Sequence, residues 1–531
     1  MACWALAETH NRRPETTTGN KRINIKVARR NRTPLLIGVR LAARGRTGPQ
    51  TRLAPGKLVN TVRVTGIERL KSGAFDALIL GGGINGAGIA RDLALRARQA
   101  GVRLSVGLVD KGQFGAATSG KNSQLIHGGL RYLKMLDVRL VRESLAERAR
   151  LLRLAPGLVT PLEFLMPLRG ILEKLYYGAG LTAYDVLAGS RNIAGHRGIS
   201  RDAEPGLAPD FRCALAFYDA RVQSARFVLA NVFDAVRNGV AAANYVKAEH
   251  WERSGDGWRV TLFDALSGRR FEARARKLID AMGPWSTVSG LRLVRGSHIV
   301  LPRLAEGERA IAWFEPSGRI VFVIPWGETG GLSLVGTTDV DHHAGPDDVS
   351  ISRAETEYLL EVARALFPAA KALEPISAFS ALRGLLRQES KTAAGTSREH
   401  RIWNSPDGVL HVAGGKYTTY RRMSEQAADL AAREIAPALA GVHPTRSEPL
   451  AVEIPVDDSL AGRIEHAAAR EMAQHLSDLM FVSTYWGWER RWDAGSLAPY
   501  ARELGRHLGW NERRQREEVE AVLCTLPFAE K

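Results

Sequence analysis

The chain has 531 residues, which is more than one hydrophobic core usually organises, so two or three domains are expected. Its composition, 45% apolar and 24% charged, is that of a globular protein, and no uninterrupted apolar run reaches the roughly 18–20 residues of a membrane span. The cysteines, Cys3, Cys213 and Cys524, are scattered. This pattern argues against a disulfide framework or a thiolate metal site, and it favours a reducing compartment.

The formal charge of +18 is concentrated at the start of the chain. Residues 1–74 contain 16 Lys or Arg and three acidic residues, so the remainder is only mildly basic. The total charge alone would suggest nucleic-acid binding, but its concentration in the first 74 residues argues against that function. No nucleic-acid-binding module is recognisable in the sequence. Residues 1–74 are predicted to be a disordered extension. A transit peptide and a later start of translation are two further interpretations.

The segment 75–90, FDALILGGGINGAGIA, is the most informative stretch of the chain. A short apolar run is followed by Gly81, Gly83 and Gly86 in G-x-G-x-x-G spacing, and then by an Ala-rich helical segment. In such a turn the glycines allow a tight bend, backbone approach to a pyrophosphate and close packing of helix on strand. Asp110 ends the next apolar run, where an acidic residue would bind the adenosine ribose. This order predicts a dinucleotide site.

Later elements follow from hydrophobic periodicity and turn residues. In chain order they are a helix around 140–154, strands at 259–264 and 271–281, a hairpin of 318–326 with 332–340, a helix at 351–366, a strand at 408–415, a helix at about 418–435 and a helix-rich tail at 459–523. The strand at 408–415, its glycines and the helix that follows repeat the strand–glycine–helix order of residues 75–90, and an antiparallel unit is inserted between the two. Such interleaving is typical of flavoproteins, in which the late helix would direct its positive end at the flavin.

Seven segments resemble the FAD-dependent glycerol-3-phosphate dehydrogenases, within the flavoproteins that are similar to D-amino-acid oxidase. They are GGGINGAGIARD (81–92), ATSGKNSQLIHGGLRYL (117–133), GPW (283–285), RLVRGSHIVLPR (292–303), RIVFVIPW (319–326), GTTDV (336–340) and AGGKYTTYR (413–421). The resemblance covers roughly residues 64–531. It also implies that Val64 is the initiator, read from a non-AUG codon, and that residues 1–63 are an artefact of gene prediction.

The resemblance implies an α/β (α+β) fold in three parts. A Rossmann-type FAD-binding domain (75–437) is interleaved with an antiparallel-sheet substrate domain (about 290–390), and a helical C-terminal domain (448–531) follows. It implies oxidation of sn-glycerol 3-phosphate to dihydroxyacetone phosphate, with a hydride passing from C2 to N5 of FAD. Electrons would pass to a membrane quinone, with the enzyme peripheral on the cytoplasmic face of the membrane. An oxygen-using oxidase and a non-catalytic flavin-binding paralogue are the alternatives, and a homodimer is left open.

Site residues follow from the same motifs. For the substrate, the resemblance points to Arg131, Tyr132, Arg383, Arg398 and Lys416, with Arg383 and Arg398 as the phosphate clamp because guanidinium groups bind phosphate bidentately. His298 is the candidate base or hydroxyl partner. Lys416 is expected to stabilise the reduced flavin or to transfer a proton. Beyond the first turn, the expected cofactor contacts are Thr118, Ser119, Ser123, His127, Gly128, Gly129, Gly414 and Gly415. No metal site is expected.

Several positions depart from the family pattern. Gln124 stands where Lys is frequent, Gln223 and Ser224 where acidic residues are usual, and Gly384 where a proline follows the clamp arginine. FVSTYWG (481–487) stands where paired arginines are common. These departures are the support for the non-catalytic alternative.

Overall fold

The computed structural model describes residues 61–130, 132, 137–288, 290–386 and 400–529. Its longer helices are α1 (Thr61–Ser72), α2 (Ile84–Ala100), α3 (Val138–Leu154), α4 (Ile171–Ala188), α5 (Ser224–Arg237), α6 (Arg353–Leu366), α7 (Tyr420–Ile435), α8 (Leu460–Arg470), α9 (Ala494–Leu508) and α10 (Glu512–Thr525). Its strands are β1 (Ala74–Leu80), β2 (Val106–Val109), β3 (Leu125–Ile126), β4 (Val159–Leu168), β5 (Arg197–Ser200), β6 (Cys213–Val222), β7 (Ala241–Ala243), β8 (Val246–Ser254), β9 (Gly257–Asp264), β10 (Arg269–Asp280), β11 (Leu291–Pro302), β12 (Ala310–Phe314), β13 (Ile320–Trp326), β14 (Leu332–Gly336), β15 (Val340–Asp341), β16 (Ser377–Leu386), β17 (His400–Asn404) and β18 (Leu410–Gly414).

The first sheet carries the nucleotide-binding pattern. Its order is β17-β18-β10-β1-β2-β7, and β8 and β9 extend it from β10. Strand β1 lies parallel to both β10 and β2, and β18 pairs in parallel with β10. Residues 74–80 and 410–414 are therefore two strands of one sheet, although more than 300 residues separate them. This arrangement confirms the prediction that the glycine turns at the two ends of the interleaved layout belong to the same domain.

The second sheet has ten strands in the order β15-β11-β14-β13-β12-β4-β6-β3, with β16 on β11 and β5 on β6. Strands β13 and β14 form the antiparallel hairpin that the sequence predicts. The predicted range of about 290–390 for the inserted domain is too narrow, because β3 to β6 come from residues 125–222. The physical reason is the pairing of β12 with β4, which joins the late strands to a hairpin formed much earlier in the chain.

Helix α1 lies within the segment predicted to be a disordered extension. Its residues Ile67 and Leu70 are buried, and Gly66 packs so closely on β7 that a Cβ there would overlap the carbonyl oxygen of Ala242. Arg63 forms a buried ion pair with Asp264, with 2.5 Å between the guanidinium and the carboxylate. Residues 61–72 are thus part of the folded domain, and the predicted boundary at residue 74 is wrong for them.

The C-terminal helices pack on the nucleotide domain through a neutral hydrogen-bond network. The Tyr485 hydroxyl accepts the Ala225 backbone N–H at 2.8 Å and donates to the Gln124 side-chain carbonyl at 3.2 Å. The same Gln124 oxygen accepts the backbone N–H of Ser224 at 2.7 Å. Three of the departures from the family pattern, at 124, 223–224 and 481–487, therefore meet at one buried joint.

Helix α4 exposes an apolar face to solvent. Leu172, Leu175 and Val186 are 79%, 65% and 74% exposed, and they lie on one side of the helix at helical spacing. On the opposite side Leu181 and Tyr184 are buried. Within the described ranges, no helix is both long enough and apolar enough to span a bilayer.

Candidate active site

A cavity of about 800 Å³ is lined by residues from both sheets. It is lined by predicted site residues from four separate segments, namely Gly81, Gly83, Asp110, Thr118, Ser119, Ser123, His127, Tyr132, Arg383, Gly414, Gly415 and Lys416. Three further predicted glycines, at 86, 128 and 129, lie behind this lining and determine how closely the surrounding elements pack. Most of the predicted site residues that the structure describes are thus brought together.

The first glycine turn has the geometry that a nucleotide phosphate requires. Gly81 has a φ of 100°, which favours glycine, and its N–H donates to the carbonyl of Val109 at 2.8 Å. A Cβ on Gly86 would overlap the carbonyl oxygen of Gly81, so glycine is what lets α2 approach β1. The Ser119 hydroxyl accepts the first helical N–H, that of Ile84, at 2.9 Å. Ser119 therefore lies at the N-terminus of α2, where an anion is stabilised.

Asp110 lies beside this turn, at the end of β2. Its carboxylate accepts the N–H groups of Gly82 and Gly112 at 2.6 and 2.9 Å. Burial raises the pKa of Asp110 to about 6, and these two hydrogen bonds oppose that rise. Because the carboxylate lines the cavity, it can accept hydrogen bonds from a ribose, as the motif predicts.

The late glycine turn and the segment 127–129 are tied together. Gly414 and Gly415 have φ values of 73° and 91°, and the turn precedes α7. The Thr418 hydroxyl accepts the N–H of His127 at 3.2 Å, and the Lys416 ammonium donates to the Ser144 hydroxyl at 2.8 Å. The same ammonium lies 4.7 Å from the centroid of the Tyr132 ring. Lys416 and Tyr132 thus form one wall of the cavity.

Arg383, on β16, presents its guanidinium to the cavity. It forms an ion pair with Asp339 at 2.8 Å and donates to the Thr337 hydroxyl at 3.0 Å. The guanidinium packs over Gly296 of the neighbouring strand β11, where any Cβ would overlap it. These contacts fix the direction of a side chain that would otherwise have several rotamers, which suits a phosphate-binding group.

His298 is buried behind the cavity wall rather than in it. Its Nε2 lies 2.8 Å from the hydroxyl of Ser123, which does line the cavity, and its ring stacks on Phe379. Burial, assisted by the charge of Arg383, lowers the pKa of His298 to about 3. In the described structure its Nδ1 has no hydrogen-bond partner. The structure therefore does not place His298 where it could contact a substrate directly, and its imidazole reaches the cavity only through its contact with Ser123.

Two predicted substrate-site residues, Arg131 and the clamp residue Arg398, lie outside the described residues. Two charged cavity residues were missed by the sequence analysis although both stand in its quoted motifs: Lys121 in ATSGKNSQ and Asp339 in GTTDV. A charged residue inside an otherwise neutral motif is the signal that could have identified them. In the part of the chain that the structure describes, no group of His, Cys, Asp and Glu has the arrangement of a metal site.

The residues present fit FAD. The cavity runs from the α2 N-terminus, suited to a pyrophosphate, past a carboxylate suited to ribose, to the turn before α7. Gly283 lines the cavity and has no atom within 4 Å of an added Cβ, so a Cβ there would occupy cavity space that the cofactor can use. Gly81, Gly83, Asp110 and Ser119 would hold the adenosine diphosphate half, and Gly414, Gly415 and Lys416 would adjoin the flavin.

Comparison with known families supports the same cofactor. Residues 76–421 match the family model described as FAD dependent oxidoreductase. The chain belongs to this family of FAD-dependent oxidoreductases. The predictions of FAD as cofactor and of oxidoreductase activity are thereby confirmed. The family match includes both glycine turns and both sheets.

Within this family the chain is similar to glycerol-3-phosphate dehydrogenases. It is 36% identical over 369 residues to the aerobic glycerol-3-phosphate dehydrogenase of Escherichia coli K12, covering 66% of this chain and 72% of that protein. It is 32% identical over 455 residues to the glycerol-3-phosphate dehydrogenase of Pseudomonas tolaasii, covering 82% and 86%. The resemblance found in the motifs is therefore confirmed.

A solved structure supports the fold. The glycerol-3-phosphate dehydrogenase of Bacillus halodurans, complexed with FAD, aligns with a TM-score of 0.69 at 21% identity. The alignment covers 89% of this chain and 98% of that one. The predicted fold class, a Rossmann-type FAD-binding domain with an antiparallel sheet and C-terminal helices, is confirmed.

Proposed function

We propose that this protein oxidises sn-glycerol 3-phosphate to dihydroxyacetone phosphate and passes the electrons to a membrane quinone. The observation that carries the proposal is the oriented guanidinium of Arg383, which lies in the same cavity as the two glycine turns. The similarity to curated glycerol-3-phosphate dehydrogenases supports the choice of substrate. Bound FAD supplies the hydride acceptor for C2 of the substrate.

Substrate binding is proposed to begin at Arg383. A phosphate dianion would replace part of the hydration of the guanidinium with charge-assisted hydrogen bonds, while Asp339 and Thr337 hold the group in place. Phe164, Phe217 and Phe322 line the same cavity and reduce its water content, which strengthens electrostatic interactions there.

Proton removal is proposed to involve the pair Ser123 and His298. The Ser123 hydroxyl lies between the cavity and the imidazole, so it can accept the C2 hydroxyl proton as it passes its own to Nε2. The charge of Arg383 is one cause of the low pKa of His298. A phosphate on Arg383 offsets that charge and so raises the pKa of His298, which makes the imidazole a stronger base when substrate is bound.

Attachment to the inner face of the cytoplasmic membrane is proposed to use helix α4. The exposed side chains of Ile171, Leu172, Leu175 and Tyr176 would enter the boundary between headgroups and acyl chains, as interfacial helices do. Arg169, just before the helix, is also exposed, and it can approach anionic lipid if it exchanges its ion pair with Asp210, at 3.0 Å, for a lipid phosphate. This contact would bring the enzyme to the lipid bilayer, in which its quinone is dissolved.

The proposed reaction is tested by anaerobic titration of the FAD-loaded protein with sn-glycerol 3-phosphate, followed by flavin absorbance. We expect bleaching by this substrate and not by glycerol at equal concentration. Yellow protein that is not bleached would indicate the non-catalytic alternative. Reoxidation by oxygen with release of peroxide, at a rate that added quinone does not increase, would instead indicate the oxidase.

Arg383→Ala is expected to raise KM for sn-glycerol 3-phosphate by about 10- to 150-fold, since a hydrogen bond to a charged group contributes roughly 1.5–3 kcal/mol. Steady-state kinetics measure this, with the Kd for FAD as the reference because the phosphate clamp is not proposed to bind the cofactor. Unchanged KM would remove Arg383 from the clamp.

The same substitution leaves Asp339 as a buried carboxylate without its arginine, and Arg319 lies 3.9 Å from it. We expect a loss of stability toward the lower end of roughly 3–5 kcal/mol. The double variant Arg383→Ala/Asp339→Ala is the matched control. In denaturant unfolding the double variant should have a higher free energy of unfolding than Arg383→Ala, while its KM for sn-glycerol 3-phosphate stays high. That result would separate the binding role of Arg383 from its structural role.

Leu172→Glu/Leu175→Glu is expected to weaken binding to phosphatidylcholine–phosphatidylglycerol vesicles by about tenfold or more, because each buried Leu contributes roughly 1.5–3 kcal/mol. Vesicle flotation measures the bound fraction. The control is Ile454→Glu/Val456→Glu, which changes two apolar residues outside α4 that are also strongly exposed. Equal binding by both variants would contradict a membrane contact through α4.

A further inference from the structure

Lys121 is a cation in the cavity wall that neither the motifs nor the reaction scheme above has used. It lines the cavity, and its ammonium lies 5.9 Å from the centroid of the Trp488 ring. Within residues 61–130, 132, 137–288, 290–386 and 400–529, no carboxylate forms an ion pair with this ammonium. Burial lowers its pKa, and no acidic group opposes that effect. A lysine in this setting gains stability from an anionic ligand.

The position of Lys121 is fixed from both sides along its segment. Three residues before it, the Thr118 hydroxyl donates to the carbonyl of Leu382 at 2.6 Å, directly beside Arg383. Two residues after it, the hydroxyl of Ser123 contacts His298. His298 lies on β11, two residues beyond Gly296, over which the guanidinium of Arg383 packs. Lys121 therefore lies on a cavity-lining segment that is anchored on both sides to β16 and β11, the strands that carry Arg383 and Gly296.

We propose that Lys121 is a second cationic contact for the phosphate of the substrate, acting together with Arg383. This inference rests on the proposed function for the identity of the substrate. The ammonium can approach a phosphate oxygen as a point charge, while the planar guanidinium binds bidentately, so the two groups complement each other. The pyrophosphate of FAD is the other source of phosphate oxygens in the cavity, and the experiment separates the two.

The test compares Lys121→Met, which keeps length and removes charge, with Lys121→Arg, which keeps charge. Inorganic phosphate is titrated into the oxidised, FAD-loaded protein and its binding is followed by the perturbation of flavin absorbance. We expect the Kd for phosphate and the KM for sn-glycerol 3-phosphate to rise about tenfold or more in Lys121→Met. Lys121→Arg should restore most of both. The Kd for FAD should not change.

The surface variant Lys371→Met controls for the loss of one positive charge, since Lys371 is exposed. Phosphate binding and KM that are unchanged in Lys121→Met would overturn the inference. So would a weaker Kd for FAD with unchanged phosphate binding, because that result assigns the ammonium to the pyrophosphate. If the wild type binds phosphate through Lys121 but sn-glycerol 3-phosphate does not bleach its flavin, the proposed function fails and the anion site stands.

Discussion

Gly86→Ala is expected to abolish FAD binding. The new Cβ would overlap the carbonyl oxygen of Gly81 and also crowd the Ile79 side chain, so α2 must move away from β1. That displacement removes both features that the pyrophosphate needs, the tight turn and the helix N-terminus directed at it. The purified variant should be colourless, and isothermal titration with FAD should give no measurable binding.

The matched control is Gly180→Ala, which makes the same substitution inside α4, where no atom lies within 4 Å of the added Cβ. This variant should bind FAD like the wild type and gain up to about 1 kcal/mol of stability, because alanine favours a helix over glycine. FAD bound normally by Gly86→Ala would mean that the first turn is not the pyrophosphate site.

His298→Ala is expected to lower kcat by roughly 10²–10⁴, the contribution of a positioned base. The imidazole acts through Ser123, so Ser123→Ala should produce a loss of similar size. KM should change little in either variant, since neither side chain is proposed to bind the phosphate. Rapid-mixing measurements of flavin reduction give the rate of the chemical step directly.

The double variant Ser123→Ala/His298→Ala tests whether the two residues act in series. If they do, the combined loss should equal that of one single variant rather than the product of both. A multiplicative loss would show independent roles. A loss of less than tenfold in His298→Ala would reduce His298 to a residue that positions Ser123.

Much of the nucleotide site could be predicted from local sequence because its parts are consecutive. The strand, the glycine turn, the helix and Asp110 lie within about 35 residues, and each element imposes its own residue types. The ten-stranded sheet was harder, since the pairing of β12 with β4 joins residues almost 150 positions apart and leaves no local signal. Helix α1 was missed because few apolar residues, among them Ile67 and Leu70, define its buried side.

At the substrate end of the cavity, too, some residues could be predicted from local sequence and others could not. Motif position identified Arg383 and Lys416 through the residues that flank them in the chain, although their contacts with Asp339 and Ser144 come from other segments. The depth of His298 could not be predicted, since strand alternation gives the side of a sheet that a residue faces but not what covers that side. The ring of Phe379 and the hydroxyl of Ser123 cover it, and both come from other segments.

The buried joint of Gln124, Ser224 and Tyr485 bears on how this chain diverged from its relatives. Because the three side chains and backbone groups satisfy one another without charge, a Lys or Arg restored at one of these positions alone would have no carboxylate within the joint. Such positions are expected to change together, because a change at one of them alone leaves a buried partner unsatisfied. None of the three residues lines the cavity, so these departures describe the contact between the C-terminal helices and the nucleotide domain and not the substrate site.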